Sequence, residues 1–281
     1  MIESFAVMKP QKTDTIPTDC EKYVYQEKID GGNVVVDVEL PNVKIYHART
    51  IGSKITFNER AYRYPELVNE IRQGVLKDGA TYIGELTVLD KQGVGRLWLF
   101  GQRSHLENQF QIQRMSKLCP VTFYPHHVIR DGNDLLFDVP YIDILRMLKL
   151  MVRNGEHIRE IPSYPSPDQL LAREGIIEGI VVKDVYGIYH RGKRGMGWLK
   201  KKFLQEKNVK FISYIVKEVG INLFTDDNKE IHLAGDRVAG AVEEIKNKGF
   251  VNAEIEYMAE TTQGFRDCSI KRIGNELEAE I

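Results

Sequence analysis

The sequence predicts an α+β protein: many short strands, helices set between them, and a small strand-rich unit at the end. Three observations predict it. From Tyr23 to Asp30 the chain alternates side chains with the period of a strand, with Val24, Gln26, Lys28 and Asp30 on one face and Tyr25, Glu27 and Ile29 on the other, and Gly31-Gly32 ends the run. Residues 176–184 read as a buried strand, in which Glu178 and Lys183 bracket a short apolar run. Beyond Lys207 the texture changes to several short strands and one helix.

In chain order, the polar stretch before Cys20, with Pro10 and Pro17, reads as an extended lead-in with little structure. Residues 34–40 and 43–48 read as strands joined by the Pro41-Asn42 turn. Tyr64-Pro65-Glu66 opens a helix reaching about Leu76, with Leu67, Ile71 and Val75 on one face. Residues 82–89 are a strand, 90–95 a turn, 102–117 one helix and 121–129 another strand. Asp131-Gly132-Asn133 is a tight turn. Residues 141–152 form an apolar-rich helix, 162–167 a loop, and Asp168 starts a short helix to Glu174. Residues 186–189 are placed to pair with strand 176–184, and 198–203 close the first unit. In the remainder, residues 210–219, 229–233, 252–258 and 265–273 read as strands. Residues 237–248 form one helix, capped by Asp236 and stopped by Gly249. This mixture in a short segment suits a small barrel such as an OB-fold. The expected domains are therefore 1–206 and 207–281.

Composition narrows the function classes. At 281 residues, 42% hydrophobic and 28% charged, the chain has an ordinary globular balance. It has no apolar run long enough for a membrane helix and no charged-then-apolar leader, so an intracellular, non-secreted protein without a membrane partner is expected. The three cysteines, Cys20, Cys119 and Cys268, fit neither a zinc-ligand spacing nor a disulfide framework. A net charge of −1 leaves nucleic-acid binding to a local patch, and the largest acid-free basic run lies between Arg191 and Lys202.

The run from Tyr23 to Asn33 carries the chemistry. A strand would hold Lys28 more rigidly than a loop, beside a carboxylate and a sharp turn, and this suits a lysine that must attack something. By itself Lys28-Ile29-Asp30-Gly31 equally describes a surface lysine before a hairpin. It resembles, however, the nucleotidyl-acceptor motif of the covalent nucleotidyltransferases: ATP-dependent DNA ligases, RNA ligases and mRNA capping enzymes. Gly84-Glu85-Leu86, Glu178-Gly179-Ile180-Val181-Val182-Lys183 and Trp198-Leu199-Lys200-Lys201-Lys202 resemble the family's later motifs in the right order. The ordered set spans most of the chain and is far more specific than any member.

The resemblance implies a nucleotidyltransferase (adenylation) domain of antiparallel sheets with flanking helices, followed by an OB-fold barrel. It implies Lys28 as the residue that takes AMP from ATP. A free lysine has a pKa of about 10.4, so burial and the cations Lys183, Lys200 and Lys202 would favour its neutral, nucleophilic form. Glu85 and Glu178 are implied as ligands of Mg²⁺, or Mn²⁺ in its place, or of the ribose. Glu27 and Arg49 are implied as nucleotide-binding residues, although the asparagine that usually follows the arginine is absent. In Tyr124-Pro125-His126-His127, the usual Phe-Asp is replaced by the histidine pair, leaving His126 or Tyr124 to stack on adenine. A histidine-pair metal site is disfavoured, because neighbours on a strand point to opposite faces. Arg266 and Lys271 resemble the final motif, which orients pyrophosphate, with Cys268 where DNA ligases carry proline. On residue type alone they equally suit a solvated barrel strand.

Within the family, residues 110–114 and 121–148 resemble DNA ligases. Glu27 and Asn33 resemble RNA ligases, and Ile83 departs from the aspartate of the DNA-ligase branch. The expectation is an ATP-dependent ligase of minimal two-domain form, monomeric, sealing nicked duplex DNA, RNA-containing strands included. The alternatives are an RNA ligase, or a nucleic-acid-binding protein with an inactive nucleotidyltransferase domain.

Overall fold

The computed structural model describes residues 5–51 and 54–277, with the side chains of 48–56 excepted. The chain divides into two compact units, Met1–Lys202 and Phe203–Ile281. Each is α+β. The elements of the first unit are β1 (Lys9–Lys12), β2 (Tyr23–Glu27), β3 (Gly32–Glu39), β4 (Asn42–Ile51), β5 (Lys54–Glu59), α1 (Pro65–Arg72), β6 (Ala80–Val88), α2 (Leu97–Ser104), α3 (Gln109–Leu118), β7 (Val121–Asp131), β8 (Asp134–Leu135), α4 (Tyr141–Met151), β9 (Ser163–Tyr164), α5 (Asp168–Leu171), β10 (Gly179–Asp184) and β11 (Arg194–Lys202).

Two sheets organise this unit. One runs β5-β4-β3-β6-β7-β8, the other β1-β11-β10-β2-β9. Pairing is antiparallel except between β1 and β11. β3 sits mid-sheet with Val34, Val35, Val36 and Val38 all buried, which is why its valines stand on both faces rather than alternating with polar residues. Tyr82, Ile83, Leu86, Phe123, Val128 and the inward face of α4 (Tyr141, Ile144, Leu148) join the same core. A buried polar knot ties helices to sheet: Arg103 of α2 donates to Glu66 Oε1 of α1 at 2.7 Å and to the Arg63 carbonyl at 3.0 Å. The same Glu66 oxygen accepts the amide of Val121 at 3.1 Å.

The chain passes from one sheet to the other between Glu27 and Gly32, so the expected strand over Tyr23–Asp30 is shorter than its alternation suggests. β2 ends at Glu27, and Gly32 opens β3 instead of merely closing a turn. Lys28 lies just past the strand, its amide still bonded to the Gly179 carbonyl at 2.9 Å. The crossover is pinned by Asp30, whose carbonyl accepts from Thr87 at 2.6 Å and whose carboxylate accepts the Leu97 amide at 3.1 Å. Gly31 packs so close to β6 that a Cβ would stand 2.4 Å from the Leu86 carbonyl oxygen.

Other expectations are corrected by contacts remote in sequence. The lead-in is not structureless: Phe5 and Met8 are buried, and β1 pairs with β11. The helix expected over 102–117 is two helices, because Asn108 caps α3 by accepting the Gln111 amide at 3.1 Å. Residues 186–189 do not pair with β10, since the Asp184 carboxylate takes the Tyr186 amide at 2.9 Å and turns the chain. The loop at 162–167 contains β9, which pairs with β2.

The second unit comprises β12 (Gln205–Phe211), β13 (Ser213–Val216), β14 (Ile221–Phe224), β15 (Glu230–Leu233), α6 (Arg237–Lys248), β16 (Val251–Tyr257), β17 (Ala259–Glu260), β18 (Phe265–Arg266) and β19 (Ser269–Ile273). They form sheets β12-β16-β19, β13-β14-β15 and β17-β18 around a core of Phe211, Leu223, Val251, Ala253 and Ile255. The strand expected at 265–273 is broken at Asp267, whose φ of 49° is left-handed. The strand expected at 210–219 is likewise two strands. α6 runs as expected and ends on Gly249 at φ 82°, but Asp236 makes no side-chain cap bond.

Gly84 of β6 faces a bulge in β7, where a Cβ would lie 2.4 Å from the Tyr124 carbonyl oxygen and 2.5 Å from the Phe123 ring. Gly84→Ala should therefore cost about 1–3 kcal/mol of stability, read as a lowered urea midpoint at unchanged slope. An unchanged midpoint would show that β6 and β7 are not this close.

Candidate active site

The crossover opens onto a cavity of about 360 Å³ whose walls come from both sheets. β2 and the crossover supply Gln26, Glu27, Lys28 and Ile29; β3 and β6 supply Asn33 and Glu85; β7 supplies His126; β10 and β11 supply Val181, Lys183, Arg194, Trp198 and Lys200. A volume at the lower end of the usual range for small-ligand sites suits a single nucleotide unit.

Lys28 Nζ donates to Glu178 Oε2 at 2.6 Å, and Lys202 Nζ lies 3.3 Å from the other oxygen of that carboxylate. Glu178 thus stands between two lysines, with its side chain only 5% exposed. Antiparallel register accounts for this: Gly179 of β10 is the partner of Lys202 on β11, and β10 also pairs with β2. Glu85 is half-buried, and its Oε2, which is buried, has no hydrogen-bond partner among the described residues. Burial pushes its carboxyl up to about 7, against the pull of Lys28 and a hydrogen bond from Asn33, its cross-strand partner.

The floor is a network of another kind. Lys183 is almost wholly buried, with Nζ 4.5 Å from the Tyr141 ring centre and 4.3 Å from that of Trp198. It donates to Tyr141 Oη at 2.9 Å. Burial holds its pKa well below the ordinary lysine value. The amide of Gln26 donates to Tyr141 Oη at 3.1 Å and to Ser163 at 2.8 Å. His126 and His127 are kept neutral by burial and by Lys183. His127 packs parallel to Tyr141 at 5.8 Å, while His126 meets Trp198 edge-on at 5.7 Å and faces the cavity. Lys200 is lowered by partial burial and by the charges of Lys28, Lys202 and Arg194.

A model of the ATP dependent DNA ligase domain matches residues 7–202. The chain belongs to this family. Among curated relatives, it is 24% identical over 200 residues to DNA ligase 1 of Methanosarcina barkeri, covering 64% of this chain and 34% of that protein. It is 26% identical over 263 residues to the DNA ligase of Methanothrix thermoacetophila, covering 89% of this chain and 44% of that protein. The chain thus spans less than half the length of either relative. A Lig E DNA ligase described as binding DNA with a minimal scaffold shares the fold, with a TM-score of 0.64 at 13% identity, 97% of this chain and all of that one being covered.

Of the residues singled out by motif, Glu27, Lys28, Glu85, His126, Lys183 and Lys200 line one cavity. Glu178 and Lys202 join it through Lys28. Tyr124 packs away with Ile29 and Ile161, leaving His126 as the ring of the two that faces the cavity. The Arg49 side chain lies outside the described residues. Arg266 lies on β18 of the second unit. Sequence reasoning missed Met8, Lys9 and Pro10, which line the wall beside β11, and Arg173, which pairs with Glu27. Their only signal was proximity in the fold. Glu27 itself is raised by burial and pulled back by Arg173.

Glu85 sets a pH dependence. Its folded pKa of about 7 exceeds the unfolded glutamate value of about 4.3, so the folded state holds the proton more tightly. The stability this confers is full below the unfolded value and is lost as pH rises towards the folded one. Glu85→Gln removes the titration. Between about pH 5 and about pH 8 the metal-free variant should lose less stability than the parent chain, by about 2–3 kcal/mol. Parallel urea-stability profiles would remove Glu85 from a buried position.

Proposed function

We propose that the chain is an ATP-dependent polynucleotide ligase that seals 5′-phosphate/3′-hydroxyl nicks in duplex DNA. The single observation that carries this is Lys28 in the wall of a nucleotide-sized cavity, bonded to Glu178 and flanked by Lys200 and Lys202. In the first step Lys28 Nζ attacks the α-phosphorus of ATP. A nitrogen–phosphorus bond forms, the bond to the bridging oxygen of the β-phosphate breaks, pyrophosphate leaves with that electron pair, and the amine gives up a proton. Lys200 and Lys202 offset the charge that spreads over the phosphate oxygens. The nick's 5′-phosphate then displaces Lys28 from AMP, and the 3′-hydroxyl displaces AMP from the adenylated end. His126 is the ring for the adenine, with Gln26 and Lys183 beside it.

Glu85 and Glu178 fit a divalent cation such as Mg²⁺ or Mn²⁺. Both are carboxylates at one site, one oxygen of Glu85 is buried without a partner, and hard cations take such oxygens. When bound, the ion would supply positive charge to the phosphate oxygens. The second unit, read as an OB-fold barrel with Arg266 as a pyrophosphate ligand, is the other half of this proposal, as is action as a monomer. Asn33 keeps the RNA-ligase reading alive, since it stands where DNA ligases commonly carry arginine and bonds Glu85. Sealing of nicks in all four DNA and RNA strand combinations separates the two.

With α-labelled ATP and Mg²⁺, the chain should acquire an alkali-stable, acid-labile label that pyrophosphate removes, and Lys28→Ala should acquire none. Labelling of Lys28→Ala at the parent level would overturn the mechanism. Glu178→Ala should slow sealing of a pre-adenylated nick by about a hundredfold or more, the scale of losing one electrostatic stabiliser. Parent-level sealing and labelling by that variant would exclude Glu178 from the reaction.

A further inference from the structure

We propose that Lys9 and Arg194 form a phosphate-binding position at the rim of the cavity, one that receives the β- and γ-phosphates of ATP and the pyrophosphate they become. This rests on the reading of the cavity as an ATP site. It goes beyond that reading by giving the first unit a hold on the leaving group of its own, built from a segment outside the recognised motifs.

The geometry comes from β1. It lies parallel to β11, and Lys9 is the register partner of Arg194. Paired strands lie about 4.8 Å apart, so two cations stand side by side. Like charges directly opposite on neighbouring strands are destabilising and need a reason. Both residues line the cavity that contains Lys28, and both are exposed. Among the described residues neither makes an ion pair with a carboxylate, whereas Lys28, Lys202 and Arg173 each do. An anion is the missing member, and the cavity is where it would come from.

Lys9 is not on a loose tail. Met8 beside it is buried, and its amide donates to Tyr189 Oη at 2.8 Å, while the amide of Lys9 donates to the Lys193 carbonyl at 3.0 Å. A cation on a strand anchored this way is pre-positioned, which lowers the entropic cost of ordering it on a ligand. The cations also form a sequence: Lys28 inside, then Lys200, whose titration feels both Lys28 and Arg194, then Arg194 and Lys9 at the rim. A phosphate chain held at its α-phosphorus by Lys28 and extending outward follows that line. Arginine and lysine together suit it, one with a planar fork of donors and the other with a compact charge.

The test uses the full chain, AMP, and an ATP analogue with a methylene between its α- and β-phosphates, so that binding is read without reaction. Lys9→Gln and Arg194→Gln should each weaken analogue binding by about tenfold, the effect of one charge-assisted contact, and change AMP binding less than about twofold. Lys9→Arg should restore analogue affinity, which a purely structural role would not predict. Equal losses for AMP and the analogue, or no loss for either, would overturn the proposal while leaving the ATP site intact. Unchanged analogue binding with weakened binding of nicked duplex would also overturn it and assign the pair to the polynucleotide. A parent chain that binds neither nucleotide would overturn the ATP reading and this proposal with it.

Discussion

The contact between Lys28 and Glu178 depends on where the backbone changes sheets. Lys28 follows the last residue of β2, and Gly32 opens β3 in the other sheet. The residues between have no strand partners of their own, so their backbone groups are satisfied by neighbouring elements: Gly179 for Lys28, Thr87 for Asp30. Those tethers determine where Nζ of Lys28 points. They also make the site a junction, since one wall can come from each sheet only where the chain joins them. Gly31 serves the same geometry, for only a residue without a side chain passes this close to β6.

Charge in the cavity is arranged in two zones with different physics. Around Glu178 opposite charges alternate, with Lys28 and Lys202 on the two oxygens of one carboxylate. A buried ion pair is seldom more stabilising than packed apolar residues would be, so this arrangement is better explained by chemistry than by stability. Around Lys183 the opposite holds. An amine is enclosed by Tyr141, Trp198 and neutral histidines, and burial favours its uncharged form. Glu85 lies among these charges, raised by burial, with one oxygen bare. A fold that leaves a carboxyl in that condition spends stability on the site.

The membership of the site was legible in the sequence to a large degree. Glu178 and Lys183 bracket an apolar strand at a spacing that lets one side chain reach Lys28 and the other drop into the floor. Gly84-Glu85-Leu86 was legible only through its place in the ordered set of motifs. Helix α6 was readable for a local reason: its periodicity and its stop at Gly249 lie within one short segment. The single helix expected over 102–117 failed on a local competitor, the capping side chain of Asn108. The Tyr23–Asp30 strand failed because alternation continues past the point where the partner strand ends, and alternation contains no information about partners.

Sequence by itself determined the family and the order of the motifs, and it pointed to Lys28, Glu85, Glu178, Lys183, Lys200 and Lys202 as residues that gather at one place, because each lies in a contiguous motif. Tertiary structure alone decided which side chains meet. It brought Met8, Lys9 and Pro10 against β11 through a parallel pairing across nearly the whole first unit. It chose His126 over Tyr124 for the cavity and packed Tyr124 against Ile29. It gave Glu27 its partner in Arg173. The physical reason is common to all of these. Pairing of β-strands and burial of side chains are interactions between segments far apart in the chain, and each segment's own pattern is compatible with several partners until the shared core excludes the rest.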